Sequence, residues 1–332
     1  MVRPKAGSSP KRFAVVFMNL PERLCPLCLK NDSLPILSLT PEDVVSLNVG
    51  YELKRFRDAL QGYENQLIYS QCSCGMIYCK FRWPDTILSQ VYEQTIDHAM
   101  SVRKIFRLER RLYLIRQWEN VLRIFAIHGK EYVEGLRVLD FGCGWGDSLD
   151  VYRGPGVETF GFELDRLKIE GALKRGNRIL QTQEELEALE PVDVFILNAV
   201  IEHVQEGQDL MRLAYNKLKP GGVLVLSTMD FRPTFIRKNI NNSALGKPLL
   251  SQHFNPVEHV NIYDYFTVQR TLEIFGFKSF ASWNVMQWAA LPVPYLRNSR
   301  LWIRALNQIE NLLAHLFQNK ERAITVYALK KK

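Results

Sequence analysis

From about residue 136 onward, short apolar runs alternate with stretches of helical period. Residues 137–141, 159–163, 193–198 and 222–227 are β-branched or leucine-rich runs, each separated from the next by a helical stretch. That alternation predicts a parallel sheet covered by helices on both faces. Two more strands are expected at 278–285 and 323–329. Between them, Leu301, Trp302, Ala305, Leu306, Ile309, Leu312, Leu313, Leu316 and Phe317 repeat at helical spacing. Upstream, Val91, Ile105, Leu112, Ile115, Trp118, Leu122 and Phe125 recur at three and four positions with arginines interleaved, which predicts one or two amphipathic helices. The pattern divides the chain into a flexible basic N-terminus (1–20), a small front module (21–85), linking helices (86–130) and an α/β domain (131–332) with insertions at about 229–262 and 287–319. No internal repeat or low-complexity tract interrupts it.

Charge modifies this picture at the ends. The chain of 332 residues has a net charge of +8. Arg3, Lys5, Lys11, Arg12 and Arg23 crowd the start, and Arg297, Arg300, Arg304, Lys320, Arg322 and the terminal lysines crowd the end. Such ends suit an anionic membrane surface, a phosphorylated substrate or nucleic acid, with a solvated basic surface as the plain alternative. No run reaches the ~18 apolar residues of a membrane span, and 13–20 is too short for a secretory signal. We therefore expect a cytoplasmic protein. The helix expected over 299–318 combines a broad apolar face with arginines at its beginning, a composition compatible with peripheral contact at membrane headgroups. Packing onto the α/β domain or onto a second subunit is the alternative.

The six cysteines fall in groups. Cys25 and Cys28 form RLCPLCLK, while Cys72 and Cys74 form YSQCSCGMIYC with Cys79 just beyond. Two thiol pairs on tight turns in a cytosolic chain point to a structural zinc with all four positions filled by protein. Only Ser73 separates the second pair, so Cys79 is an alternative to Cys72 or Cys74. Buried reduced thiols are the other reading.

The stretch VLDFGCGWGDSL places Gly142, Gly144 and Gly146 on alternate positions behind an apolar run ending in Asp140. In doubly wound sheets the ligand lies at the turn from the first strand into its helix. The third glycine comes one residue too early for the dinucleotide fingerprint, and no nucleotide-triphosphate loop is present. The arrangement Asp140-x-Gly142-x-Gly144-x-Gly146 resembles the first motif of class I S-adenosylmethionine-dependent methyltransferases. Three further stretches extend that resemblance: TFGFELD with Glu163, DVFILNAVIEHVQEG with Asn198, and LKPGGVLVLST. The front of the chain is similar to the zinc-binding module attached to bacterial methyltransferases of glycan and natural-product pathways.

The resemblance implies a Rossmann-like seven-stranded methyltransferase sheet preceded by a small zinc-binding module. It implies S-adenosylmethionine as cofactor, held by Asp140, the three glycines, Glu163 and Asn198, with the Glu163 carboxylate accepting from the ribose hydroxyls. Zinc would be held by Cys25, Cys28, Cys72 and Cys74. Methyl transfer needs an aligned acceptor and, for a hydroxyl, a base. Glu202 and His203 stand on the loop that faces the reactive sulfonium, and an imidazole is the base best matched to neutral pH. Ordering of the loop is the alternative role for this pair. His259, in NPVEHVNIYDYF, is a second candidate, with a packing role as its alternative. The segment 229–265 is too long for a simple connection and is expected to close over the acceptor. Three function classes follow: methyl transfer to a hydroxyl of a small molecule, sugar or lipid-linked glycan precursor; methyl transfer to RNA or protein; and non-catalytic cofactor binding. The fourth-strand loop lacks the signature of base-modifying enzymes, and no strip of aromatics interleaved with basic residues is evident, which argues against a nucleic-acid partner.

Overall fold

The computed structural model describes residues 20–40, 42–44, 53–63, 67–95, 98–129, 134–229, 254–280 and 323–331. The expectations for 1–19, for most of the segment 229–265 (residues 230–253), for 281–285 and for the helix over 299–318 lie outside the described residues. Among the described residues, no helix is long and apolar enough to cross a membrane.

The α/β part is built on β4 (Leu136–Phe141), β5 (Val157–Phe162), β6 (Ile179–Leu180), β7 (Val192–Asn198), β8 (Leu218–Met229), β10 (Phe277–Phe280) and β11 (Ala323–Lys330). They form a seven-stranded sheet in the order β10-β11-β8-β7-β4-β5-β6. The five strands from β6 to β8 run parallel, while β11 pairs antiparallel with both β8 and β10. Strand β7 is buried along all but its last residue, as a strand covered on both faces must be. From β4 the chain goes out to β5 and β6 on one side, then returns to β7 and β8 on the other. The crevice at the carboxyl ends of β4 and β7 is the switch point of the sheet.

Strands β4, β5 and β7 fall within two residues of their expected bounds. Strand β8 is longer than the expected 222–227, because pairing with β11 from Val223 through Met229 keeps its far end extended. Strand β6, of two residues, is too short for any period to announce it. Helices α5 (Asp147–Tyr152), α6 (Arg166–Lys174), α7 (Gln183–Ala188) and α8 (Gly207–Lys217) connect the parallel strands, and α9 (Tyr265–Ile274) precedes β10. Helix α9 opens on a capping box in which Asp264 accepts from the Thr267 N–H at 2.8 Å and Thr267 Oγ1 accepts from the Asp264 N–H at 2.8 Å.

Where one or two linking helices are expected, the described residues form three: α2 (Asp85–Thr95), α3 (His98–Ile105) and α4 (Leu108–Ile127). The buried face of α4 is Leu114, Gln117, Val121, Ile124 and Phe125. Leu112 and Ile115, which the period assigned to the packed face, are 43% and 36% exposed. The helix is turned toward the sheet by a polar residue, Gln117, that no apolar period could count.

A second sheet, in the order β1-β2-β3-β9, belongs to the front module. Strands β1 (Leu34–Ser38), β2 (Ile68–Gln71) and β3 (Ile77–Cys79) come from that module, with α1 (Leu53–Ala59) between β1 and β2, but β9 (Asn261–Ile262) comes from far along the chain. The core of this sheet joins Phe56, Leu60, Leu67, Tyr69, Ile77 and Trp83 to Phe254, Val257, Val260 and Ile262. Three short strands and α1 leave part of this apolar core to be covered from elsewhere in the chain. The segment that follows β8 supplies the missing cover, so the front module and the α/β domain share a core.

Candidate active site

The glycine turn after β4 is held from beneath by β5. The N–H groups of Gly142 and Cys143 donate to the Phe162 carbonyl at 2.8 and 3.1 Å, and the Gly144 N–H donates to Glu163 Oε2 at 2.9 Å. All three glycines have positive φ: 73°, 56° and 79°. Their surroundings differ, however. A Cβ on Gly142 would come within 2.8 Å of Val200, and one on Gly146 within 2.5 Å of Asn177, whereas one on Gly144 would meet nothing within 4 Å. Two of the three glycines are therefore required by the protein's own packing. Gly144 is the one that faces open space. Cys143 is buried against Gly161 and Leu149, and burial pushes its thiol pKa up, so it stays protonated and unreactive.

Helices α3 and α4 cover this turn. Trp145 Nε1 donates to Ser101 Oγ at 3.1 Å, and Arg110 Nε donates to Asp147 Oδ2 at 2.8 Å. Further along α4, Gln117 donates to Asn198 Oδ1 at 2.9 Å and accepts from Asn198 Nδ2 at 3.1 Å. Gln117 also donates to the Tyr113 hydroxyl and accepts from Tyr152. Tyr113 in turn donates to Ser227 Oγ at 2.9 Å. Asn198, expected to hold the cofactor, joins a polar network that ties α4 to the ends of β7 and β8, with an amide hydrogen and an oxygen lone pair beyond its two bonds to Gln117.

Immediately after Asn198 the chain turns through Ala199, which has φ 54°, a left-handed conformation that costs a residue with a Cβ roughly 1–2 kcal/mol. The turn lays Val200 on Gly142 and directs Glu202 inward. Glu202 is 3% exposed, and neither carboxylate oxygen has a hydrogen-bond partner among the described residues. It lines a pocket with Thr228, Met229, His259, Asn261 and Tyr263. His203 Nδ1 lies 2.8 Å from the Glu258 carbonyl, an oxygen that can only accept. The neutral ring is therefore protonated at Nδ1 and carries its lone pair on Nε2. The rings of His203 and His259 are 4.9 Å apart, and ligand-type atoms of His203, Glu258 and His259 all lie within 4.8 Å of one another. The three expected catalytic residues are brought together in one place, although 56 positions separate His203 from His259.

The four cysteines also converge. Cys25 and Cys74 sulfurs are 3.5 Å apart, those of Cys28 and Cys72 are 3.4 Å apart, and all four lie within 4.8 Å of one another. The two knuckles are built alike. In the first, the Cys25 N–H donates to the Lys30 carbonyl and Leu29 takes φ 60°; in the second, the Cys72 N–H donates to the Met76 carbonyl and Gly75 takes φ 96°. Burial, helped by a hydrogen bond to Asp32, pushes the Cys72 thiol up to about 12. Cys79 lies elsewhere, buried in β3 among the residues of the second core. It is not part of the cluster.

A sequence model of the methyltransferase domain family matches residues 107–281, just over half of the chain. This protein belongs to that family. The ubiquinone biosynthesis O-methyltransferase of Pseudomonas putida strain GB-1 is 29% identical over 123 residues, which is 34% of this chain and 53% of that protein. The protein of the same name from Bradyrhizobium sp. strain ORS 278 is 30% identical over 105 residues, 30% of this chain and 42% of the other. The chain thus spans about half the length of the curated relatives it matches. Among solved structures, the plantazolicin methyltransferase BamL, in complex with a triazolic desmethylPZN analog and SAH, aligns with a TM-score of 0.50 at 13% identity, covering 74% of this chain and 94% of that one. At that identity the likeness is one of fold, and the family match begins at the foot of α4, the helix that packs on the sheet.

The methyltransferase turn fits S-adenosylmethionine on three observations. Among the described residues, Gly144 leaves open space, the Glu163 carboxylate stands beside it, and Asp140 Oδ1 is buried beneath the turn without a hydrogen-bond partner. An ammonium group bound above the turn would supply that partner. Glu163 already accepts from three N–H groups, of Gly144, Leu164 and Asp165. A carboxylate has about four acceptor sites, so a ribose diol must displace at least one of these N–H groups to be held by both hydroxyls.

Asp140 also yields a pH test. Burial pushes its carboxyl up to about 7, opposed by the hydrogen bond from Ser148. A carboxyl with a folded pKa above its unfolded value stabilises the fold at low pH and loses that contribution as pH rises from about 4 to about 7. In urea denaturation of the cofactor-free protein between pH 5 and 8, the wild type should lose stability relative to Asp140→Asn as pH rises, by an amount on the order of 1–3 kcal/mol. A pH-independent difference between the two proteins would remove this assignment.

Proposed function

We propose that this protein transfers the methyl group of S-adenosylmethionine to a hydroxyl of a small molecule, sugar or lipid-linked glycan precursor. The reaction is placed in the cytoplasm, with lipid-linked acceptors presented at the membrane surface. The observation that carries this reading is the group formed by Glu202 and His203, on a loop after β7 whose Val200 packs directly on the cofactor turn, with His259 from the segment after β8. Bound there, S-adenosylmethionine supplies an electrophilic methyl group. The chain's own residues do the rest. The Glu258 carbonyl fixes the proton of His203 on Nδ1, which leaves Nε2 to take the proton of an acceptor hydroxyl. Glu202 offers a dry, unpartnered carboxylate that can receive a second acceptor hydroxyl or stabilise the imidazolium formed. Burial pushes the Tyr263 phenol up, with Glu202 adding to that shift, so the phenol at the pocket wall remains a neutral donor. The names of the curated relatives, O-methyltransferases, support oxygen as the acceptor atom.

The test is transfer of a labelled methyl group to cell extracts fractionated into nucleic acid, protein, and lipid or glycan pools. Label should appear in the small-molecule or glycan pool, in a base-stable ether. With the acceptor found, His203→Ala should lower turnover about 10²-fold while leaving affinity for S-adenosylhomocysteine nearly unchanged. His259→Ala, which keeps the Nδ1-protonated ring of His203, should cost less. Equal loss of turnover and cofactor affinity in His203→Ala would assign that residue to loop structure.

A further inference from the structure

We propose that Arg23 is a positioning residue for the acceptor loop, and that the cysteine-bearing front module is the wall that holds this loop in place. The inference rests on reading 199–207 as the acceptor loop. Arg23 is 6% exposed, and its guanidinium donates to four oxygens: the carbonyls of Cys79, Val260 and Gln205, and Asn261 Oδ1. One of these acceptors belongs to the front module, two to the segment after β8, and one to the acceptor loop. A single side chain therefore joins three pieces of the chain that are 56, 237 and 182 positions away in sequence. None of the four acceptors carries a charge, so this is a buried cation without a counter-ion in its hydrogen bonds. Such a group persists only where its donors are taken up, and here both terminal nitrogens are engaged, each on two oxygens.

The neighbouring contacts have the same direction. Gln205 exchanges two hydrogen bonds with the backbone of Trp83, at 2.7 and 2.8 Å, and Arg82 pairs with Glu206. Asn261, held by Arg23, donates to the carbonyls of Ile201 and Val204, and its N–H donates to the Glu202 carbonyl at 3.0 Å. The acceptor loop is thus tied at residues 201, 202, 204, 205 and 206, while the Glu202 side chain lines the pocket. The Val260 carbonyl, fixed by Arg23, is two residues from the Glu258 carbonyl that sets the proton of His203. Arg23 is also two residues from Cys25, so the metal knuckle and the clamp are one piece of backbone. Loosening either should release both sides of the pocket, while the glycine turn keeps its own backbone hydrogen bonds to Phe162 and Glu163.

Hydrogen exchange read by mass spectrometry on the full chain tests this without a known acceptor. In Arg23→Met, amides of 199–207 and 254–264 should exchange about tenfold faster or more, because each lost bond to a charged group exceeds the ~1.4 kcal/mol that tenfold represents. Amides of 138–147 should keep their wild-type rates, and zinc content and affinity for S-adenosylhomocysteine should stay within about twofold. The Nδ1–H imidazole signal of His203 in ¹⁵N spectra should broaden or shift in Arg23→Met and recover in part in Arg23→Lys, a change that a purely structural arginine would not produce. Unchanged exchange in 199–207, or loss of protection confined to 20–85, would overturn the proposal. Should Arg23→Met fail to fold, wild-type protein stripped of metal by a chelator and then reloaded with zinc gives the same reading: the two segments lose and regain protection together, or the proposal fails. If the exchange result holds but no hydroxyl acceptor is found, the clamp stands and the proposed reaction falls.

Discussion

Gly144→Val should abolish detectable binding of S-adenosylhomocysteine in a calorimetric titration while leaving the protein folded. The reasoning depends on what each glycine of the turn faces. A Cβ at Gly144 meets no protein atom within 4 Å, and its φ of 56° lies in the left-handed region, so the folded state loses only about 1–2 kcal/mol of backbone strain. The valine then fills the open space beside Glu163. At Gly146 the order of effects reverses. There a Cβ would lie 2.5 Å from Asn177 Nδ2 and 3.2 Å from Ala172, and Asn177 is itself tied to the Gly146 carbonyl and to Asp150. Gly146→Ala should therefore lower the melting temperature before any question of ligand arises. Glu163→Ala removes the carboxylate, with each charge-assisted bond to a ribose hydroxyl worth about 1.5–3 kcal/mol, and should weaken binding about 10²-fold or more. Its effect is partly offset, because the Gly144 N–H is released to the ligand at the same time. Undiminished binding in both Gly144→Val and Glu163→Ala would show that the turn is only structural.

The sheet was legible because strands buried on both faces read as apolar runs, and the turn was legible because glycines at alternate positions have few other uses. The meaning of each glycine was not. Val200 and Asn177, which make Gly142 and Gly146 necessary, lie far from the turn in sequence, and no local pattern couples them to it. The same limit explains Asn198. Its place at the end of β7 was readable, but its partner Gln117 sits on a helix whose apolar period points to a different face. Arg23 was the deepest miss. In the sequence it is one of several basic residues near the start and reads as part of a solvated surface, whereas in the fold it is buried among carbonyls contributed by three distant segments. Charge composition gives no signal for burial. The one hint available was position, two residues before the first cysteine of a metal knuckle, where the chain has little freedom to swing a side chain into water.

Protein prepared under reducing conditions without added metal should contain about one zinc per chain, and Cys25→Ser, Cys28→Ser, Cys72→Ser and Cys74→Ser should each lose most of it. A tetrahedral site with Zn–S bonds of about 2.3 Å sets its sulfurs roughly 3.8 Å apart. The pairs at 3.4 and 3.5 Å are within a few tenths of an ångström of that spacing, and no pair of the four exceeds 4.8 Å, so shifts of at most about 1 Å meet the geometry. A donor set of four sulfurs with no open position selects a structural metal of this kind over magnesium or calcium. Cys79→Ser is the control that decides the ligand set. Its sulfur lies in the second core, so the variant should keep its zinc and lose only the stability that follows from burying a hydroxyl. Loss of zinc in Cys79→Ser with retention in Cys74→Ser would exchange the two assignments, and absence of zinc in fresh reduced wild-type protein would leave four buried thiols. The size of the expected effect follows from the architecture. Structural zinc contributes on the order of 10 kcal/mol to domains that cannot fold without it, and the front module has only three short strands of its own. Removing the metal should therefore unfasten β9 and the acceptor loop together and loosen the edge of the main core on which Cys25, Leu27, Cys72 and Met76 pack, while the opposite face of the seven-stranded sheet, under α4, keeps its own core.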